Sequence, residues 1–120
     1  MEIKFTIPGR LPGMNQINNA NRSHWSKGAK MKIEYEKLIG YSVPLAYRGL
    51  ALSGVSVHID WFEKDRRRDI DNIFSAQKMI LDSLVALDVI AGDGQKHVVD
   101  ITDTVHVDKN DPRIEVTITE

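Results

Sequence analysis

The sequence contains no cysteine, and this absence narrows the chemistry that the chain can perform. Disulfide bonds, zinc sites built on thiolates and cysteine nucleophiles are all excluded. The histidines (His24, His58, His97 and His106) show no spacing typical of a pair of metal ligands. Any metal ion must therefore be held mainly by oxygen atoms.

Long apolar runs are also missing. No run approaches the roughly 20 residues needed to span a bilayer, and residues 1–10 mix charged and apolar side chains without the apolar core of a secretion signal. We therefore expect a cytoplasmic protein without a membrane segment. The chain has no low-complexity tract, and its 120 residues, 42% of them hydrophobic, have the composition of one globular domain over 1–120.

Charge is distributed unevenly along the chain. Residues 1–50 contain eight Lys/Arg and three Glu, whereas residues 51–120 contain eight Lys/Arg and fourteen Asp/Glu. The first half can supply a surface that contacts phosphates, and the second half holds the acids that a metal site needs. Ordinary solvated charge on both halves is the alternative interpretation.

Hydrophobic periodicity predicts an α+β domain. Apolar and polar residues alternate as in half-buried strands over 3–7, 55–61, 97–107 and 114–118. Helices are predicted over 27–42 and from about 70 to 87. Between the first strand and the first helix we predict a long loop over 9–25. The last two strands are predicted to form a hairpin. The expected order is β-α-β-α-β-β, a mixed sheet packed with two helices in a single domain.

The densest chemistry lies in residues 66–72, RRRDIDN, between a predicted strand and a predicted helix. Two acids at positions i and i+2 point to the same side of an extended segment but lie about 200° apart on an α-helix. If Asp69 and Asp71 bind one metal ion, they stand at the strand end or in the turn. Carboxylate oxygens suit Mg²⁺, which takes one or two protein carboxylates together with substrate phosphate. The competing interpretation is that either aspartate caps the helix.

Three arginines, Arg66, Arg67 and Arg68, stand directly before these acids. Three adjacent side chains cannot all turn toward the same carboxylates. At least one is therefore expected to reach outward, where it can bind a phosphate in bidentate fashion. Solvated surface charge is the alternative.

Two further residues are candidates for the same chemistry. Asp93 lies between two glycines after the second helix, where a sharp turn can bring an acid to a site; such aspartates are also common in turns without a ligand. Lys78 stands seven residues after Asp71 on nearly the same helix face, so its amine can point toward a metal-bound phosphate. It can equally pair with Asp82 at (i, i+4).

The sequence motifs of several other metal-binding, nucleotide-binding and hydrolytic proteins are absent. Residues 69–72 begin like an EF-hand loop, but the sixth-position glycine and the twelfth-position glutamate are missing. The phosphate loops of nucleotide-binding proteins and the Ser/His/Asp motifs of hydrolases do not occur either.

RRRDIDN, the following helix with its lysine, and LDSLVALDVIAGDGQ together resemble the RusA family of Holliday junction resolvases, often found in bacteria and their prophages. The order of elements and the final strand IEVTITE agree. The resemblance covers most of residues 55–120 and, more weakly, the first strand and residues 8–15. It implies a homodimeric endonuclease that uses Mg²⁺, or Mn²⁺ in its place, to make paired nicks in four-way DNA junctions.

The resemblance also implies roles for particular residues. Asp69 and Asp71 of the D-x-D motif and Asp93, which stands two residues before Gln95, would be the essential metal-binding acids. Lys78 would be the functional lysine, although it stands about two turns after Asp71 and the family's lysine about one turn after its second aspartate.

The resulting hypothesis divides the remaining residues between catalysis and binding. Lys78 and the arginines would stabilise charge on the reacting phosphate. The basic residues that would hold duplex arms through phosphates are Arg22, Lys27 and Lys30. Trp25 would stack on an exposed base or belong to a packing patch. Two alternatives are a nuclease for other branched DNA and a non-catalytic DNA- or protein-binding module with a structural acid cluster.

Overall fold

A computed structural model describes residues 1–24 and 26–120. The strands are β1 (Glu2–Pro8), β2 (Val55–Glu63), β3 (Val98–Val107) and β4 (Arg113–Thr119). The helices are α1 (Met14–Ser23), α2 (Lys27–Ser42) and α4 (Gln77–Ala86), with a short helix α3 (Ile70–Phe74). Within the described residues, no helix is both long enough and apolar enough to cross a membrane.

The four strands form one mixed sheet in the order β1-β4-β2-β3. β4 is antiparallel to both of its neighbours, and β2 and β3 are parallel. A parallel pair needs a crossover connection, and here α3 and α4 provide it. The predicted α+β class with a mixed sheet is confirmed.

The hydrophobic core lies between one face of the sheet and the helices. The strands alternate as predicted: Ile3, Phe5 and Ile7 of β1 are buried, and their neighbours in the sequence are exposed. Helix residues such as Ile39 and Ile80 are fully buried in the same core. The opposite face of the sheet carries mainly polar side chains, so the apolar face is the one that the helices cover.

The predicted C-terminal hairpin is wrong. β3 and β4 are not paired, because β2 lies between them. The connection, residues 108–112, passes the end of β2, where the Asp108 N–H donates to the Glu63 carbonyl at 2.7 Å. Strands two places apart are separated by roughly 10 Å, a distance that a five-residue connection spans easily. Alternation and a turn sequence therefore did not determine the strand partner.

The predicted loop over 9–25 is also wrong for most of its length, because α1 occupies residues 14–23. The asparagine-rich sequence favoured a loop, but Ile17 is partly buried against the core, and none of the other residues of α1 is fully buried. Polar contacts at its first turn and packing of Asn21 against Gly28 of α2 also hold the helix. The second predicted helix is interrupted at residues 75–76 and forms α3 and α4.

Candidate active site

The two aspartates of the D-x-D motif lie where β2 gives way to α3. Asp69 occupies the position before the helix with an extended backbone (φ −67°, ψ 148°), and Asp71 lies in the first helical turn. Asp69 thus lies in the connection between β2 and α3, as predicted, whereas Asp71 lies within the helix rather than in the turn. The Asp69 carboxylate makes no capping hydrogen bond, and the Asp71 carboxylate accepts only from the adjacent Asn72 N–H, at 2.9 Å, within the described part of the chain.

Both aspartates are exposed. An aspartate that stands at a helix start normally accepts hydrogen bonds from the N–H groups two or three residues later. Because Asp69 does not do so, helix capping does not account for its side chain. The two carboxylates are therefore available to a ligand from solvent.

Arg68 has an internal role. Its Nε and Nη2 donate to the two carboxylate oxygens of Glu63, each at 2.8 Å, and its Nη1 donates to the Leu11 carbonyl at 2.8 Å. The Glu63 side chain is only 3% exposed. Bidentate pairing of this kind fixes the guanidinium in one orientation. Arg68, a predicted phosphate contact, thus joins the end of β2 to the segment after β1 and immediately precedes Asp69.

The other two arginines face solvent, as expected for at least one of the three. The Arg67 side chain is 87% exposed and lies 3.6 Å from Asp65, and Arg66 is exposed. Arg66 also lines an open cleft of about 520 Å³ beside the D-x-D motif. The remaining lining residues are Asp65, Arg68, Ile70, Ile73, Val105, His106 and Val107. The lining thus combines the Arg66 cation with two exposed apolar side chains, Ile70 and Val107, and does not include Asp69 or Asp71.

Asp93 and Lys78 lie together. The Lys78 ammonium is 3.1 Å from Asp82 and 3.8 Å from Asp93. Hydrogen bonding and attraction to Asp82, and then the charge of Asp93, raise the pKa of Lys78 above its ordinary value. The predicted (i, i+4) pair with Asp82 is therefore present, and the ammonium also contacts the third predicted acid.

Carboxylates are the ligands that a hard cation prefers, but the three predicted acids do not form one site. Among residues 1–24 and 26–120, no three His, Asp or Glu side chains form a group that could hold a metal ion. Asp69, Asp71 and Asp93 are thus not brought together within one copy of the chain. Mg²⁺ typically takes one or two protein carboxylates, water and substrate phosphate, so the exposed carboxylates of Asp69 and Asp71 suit such an ion in their chemistry.

Helix α1 begins against α3. The Met14 N–H donates to Ser75 Oγ at 2.9 Å, and the Asn15 N–H donates to Asn72 Oδ1 at 3.2 Å. These bonds place the start of α1 beside the D-x-D motif. Sequence reasoning missed Asn72 and Ser75, because their partners lie about 60 positions earlier.

The predicted DNA-contacting cations stand where α1 meets α2. Arg22 lies in the last turn of α1, and Lys27 and Lys30 lie in the first turn of α2; all three are exposed. Lys27 and Lys30 line one shallow depression. Trp25, between the two helices, lies outside the described residues.

Two further polar clusters were not predicted. Asp103 accepts from Trp61 Nε1 at 2.8 Å and from Gln77 Nε2, which ties the start of α4 to β3. Burial outweighs these hydrogen bonds and raises the pKa of the Asp103 carboxyl. Asp103 is one of several acids in an alternating strand. Only knowledge that β3 pairs with β2 could have shown that Asp103 contacts Trp61.

The second cluster lies on the polar face of the sheet. Asp60 Oδ1 accepts from His106 Nε2 at 2.7 Å and lies 3.2 Å from His58 Nε2. Burial opposes ionisation of Asp60, but the hydrogen bonds and charges of the two histidines prevail and lower the pKa of its carboxyl. Both imidazoles point at the same carboxylate oxygen, so the cluster does not present converging metal ligands.

A family model for the endodeoxyribonuclease RusA matches residues 14–119. A search of curated proteins found no match. The matched range includes the D-x-D motif, Lys78, Asp93 and helix α1, and the resemblance drawn from the sequence is confirmed. Membership implies, at the level of the family, an endonuclease that resolves Holliday junctions. With the fold and the matched segment in agreement, the chain belongs to the RusA family of endodeoxyribonucleases.

Proposed function

We propose that this chain is a Mg²⁺-dependent, structure-specific endodeoxyribonuclease that acts in the cytoplasm as a homodimer and resolves four-way DNA junctions by paired nicks. The observation that carries the proposal is the state of the D-x-D motif. Its two carboxylates are exposed, Asp69 is not used to cap α3, and Ile70, which stands between them in the chain, lines a cleft together with Arg66.

The proposed metal ligands are Asp69 and Asp71, with Asp93 as the third on the family resemblance. The ion is Mg²⁺, and Mn²⁺ is expected to substitute, because both prefer oxygen ligands. When bound, such an ion supplies positive charge for the phosphate and lowers the pKa of a water molecule. Asp93 contacts Lys78 in the isolated chain, so its recruitment would require the DNA complex.

The basic residues are proposed to contact different parts of the DNA backbone. Arg66 and Arg67 face solvent and are proposed to bind the DNA backbone near the scissile phosphate. Lys78 is proposed to act on the same phosphate once Asp93 is engaged, since its ammonium is charged and largely exposed. Arg22, Lys27 and Lys30 are proposed to hold the duplex arms through phosphates.

A homodimer follows from the symmetry of the substrate. A four-way junction presents two equivalent strands for cutting, and a twofold dimer can place one site on each. Paired nicks therefore need two copies of the D-x-D motif in one complex.

The test is cleavage of three matched substrates: a four-way junction, a Y-structure and a linear duplex, each with Mg²⁺. We expect paired cuts in the junction and little cutting of the duplex. The Asp71→Asn variant is expected to lose cutting but keep junction binding, because it removes a negative charge beside phosphate. Asp88→Asn is the matched control: Asp88 is exposed at φ 55°, a conformation that asparagine tolerates well.

Two outcomes would contradict the proposal. Strong cutting of the linear duplex or preferred cutting of the Y-structure would indicate a nuclease for other DNA. Binding without cutting in Mg²⁺ or Mn²⁺ would indicate a non-enzymatic DNA-binding module. One observation favours that second candidate: the three predicted acids do not form a group within the described residues of one copy.

A further inference from the structure

Helix α1 receives its N-terminal cap from another part of the chain. The first four N–H groups of a helix lack partners within the helix, and a polar side chain at the N-cap position commonly satisfies one of them. At α1 that position is Gly13, which has no side chain. Asn72 supplies the missing acceptor, since its Oδ1 accepts from the Asn15 N–H at 3.2 Å.

The Asn72 amide occupies the space that a residue larger than glycine would need. A β-carbon on Gly13 would lie 2.2 Å from Asn72 Oδ1 and 2.6 Å from Asn72 Nδ2. Contacts this short would force the Asn72 amide to move away, and this would break its hydrogen bond to the Asn15 N–H. Gly13 and Asn72 are therefore complementary, and the cap of α1 depends on both.

Asn72 also contacts the D-x-D motif. Its N–H donates to Asp71 Oδ1 at 2.9 Å, the only hydrogen bond to that carboxylate within the described part of the chain. One residue thus holds α1 with its side chain and a candidate metal ligand with its backbone. Since α1 has no fully buried residue and contacts the core through the partly buried Ile17, such polar contacts add to the support of its first turn.

From this geometry we infer that Asn72 is a positioning residue that couples α1 to the Asp71 carboxylate. DNA contacts that shift or order α1 would then also order the D-x-D motif. The functional meaning of this coupling rests on the proposed function, in which DNA contacts α1 and Asp71 binds the metal ion. The coupling itself is a property of the chain without DNA or metal.

Hydrogen exchange of the DNA-free protein tests the coupling directly. Asn72→Ala is expected to increase exchange by about fivefold, the equivalent of losing one helix cap, in both α1 and residues 70–75. Gln16→Ala is the matched control, because Gln16 Oε1 accepts from the Gly13 N–H at 3.2 Å and caps α1 locally. It should increase exchange in α1 only. Equal effects of the two variants on residues 70–75 would overturn the inference.

A cap exchange separates coupling from simple helix capping. The double variant Gly13→Asn with Asn72→Ala gives α1 a cap of its own and removes the clash that Gly13→Asn alone would create. It should restore slow exchange in α1 but not in residues 70–75. If it restores both, Asn72 is only a cap and the inference is wrong. Should Asn72→Ala fail to fold, this double variant alone decides between the two outcomes.

Junction DNA in EDTA provides a second readout that does not depend on cutting. In the wild-type protein, DNA should slow exchange in α1 and in residues 70–75; in the double variant, it should slow exchange in α1 alone. Protection of residues 70–75 in both proteins would overturn the inference. Failure of the wild-type protein to bind or cut junctions would instead contradict the proposed function and leave the DNA-free comparison to decide the coupling.

Discussion

The guanidinium of Arg68 and the carboxylate of Glu63 form a bidentate ion pair inside the protein, with both N···O distances at 2.8 Å. The side chains are 11% and 3% exposed. A buried pair of this kind contributes little net stability, but removing Arg68 leaves the buried Glu63 carboxylate with Arg10, 4.0 Å away, in place of a bidentate partner. The pair therefore constrains which substitutions the segment before Asp69 tolerates.

Arg68→Ala is accordingly predicted to destabilise the fold by about 3–5 kcal/mol, measured by urea unfolding. Arg67→Ala is the control, since that side chain is 87% exposed and should change the free energy of unfolding by less than about 0.5 kcal/mol. If Arg68→Ala kept full stability and lost only DNA affinity, Arg68 would be a phosphate contact and the structural role would be wrong.

The two acids around Lys78 are predicted to differ in function. Asp93→Asn should lower the rate of junction cleavage by more than the roughly 10- to 100-fold loss typical of a residue that only supports a metal ligand. Asp82→Asn removes the nearer partner of Lys78 but should leave the rate within a few-fold of wild type. Single-turnover cleavage with Mg²⁺ measures both, and the reverse ranking would contradict the assignment of Asp93.

Salt dependence should identify the cations that contact phosphates. Alanine at Arg22, Lys27 or Lys30 is predicted to reduce the slope of log affinity against log salt by about 1 each. Titrations of a four-way junction in EDTA at several salt concentrations measure the slope without cutting. Lys109→Ala, an exposed cation on the loop between β3 and β4, is the control and should leave the slope unchanged.

Two glycines are predicted to respond oppositely to alanine. Gly40 lies inside α2 with nothing within 4 Å of an added β-carbon, so Gly40→Ala should stabilise the fold by about 0.5–1 kcal/mol. Gly49 has equally open space but a φ of +84°, so Gly49→Ala should cost about 1–2 kcal/mol through backbone strain alone. Thermal unfolding of both variants gives the comparison, and changes of the same sign would contradict it.

The Asp60 cluster predicts part of the acid sensitivity of the fold. The pKa of Asp60 in the folded protein is lowered from 3.8. The ionised carboxylate therefore stabilises the fold at pH values above the pKa of the unfolded chain. That contribution is lost as the pH falls through the lower pKa of the folded protein. Asp60→Asn should therefore make the free energy of unfolding less steep in pH below about 4. Urea unfolding at a series of acid pH values tests this; an unchanged slope would show that the histidine contacts do not stabilise the carboxylate.

Local patterns predicted the elements that pack against the core. The alternation in β1 and β2 predicted their inward faces, and α2 was predicted with its observed bounds, although Ser26 before it makes no capping hydrogen bond. α1 was missed because its cap comes from Asn72, 57 positions away, which no local pattern records. The hairpin was wrong because β3 and β4 both alternate, and alternation does not specify a neighbour.

The site was predictable in the same uneven way. D-x-D after a strand located Asp69 and Asp71, since only short-range geometry was needed. The internal role of Arg68 depends on Glu63 and on the Leu11 carbonyl, which tertiary structure brings to it. Three consecutive arginines look alike in the sequence, and burial alone separates one of them from the other two.

The place of β4 between β1 and β2 sets an order of events during protein synthesis. Until residues 113–119 leave the ribosome, β1 has no hydrogen-bonded neighbour in the sheet. The segment after β1, which receives Arg68 at Leu11 and supplies Gly13 to Asn72, then lacks the sheet position that fixes β1 in the folded protein. A nascent chain that already carries both aspartates therefore lacks part of the sheet around them, and the surroundings of the D-x-D motif are complete only when β4 joins the sheet.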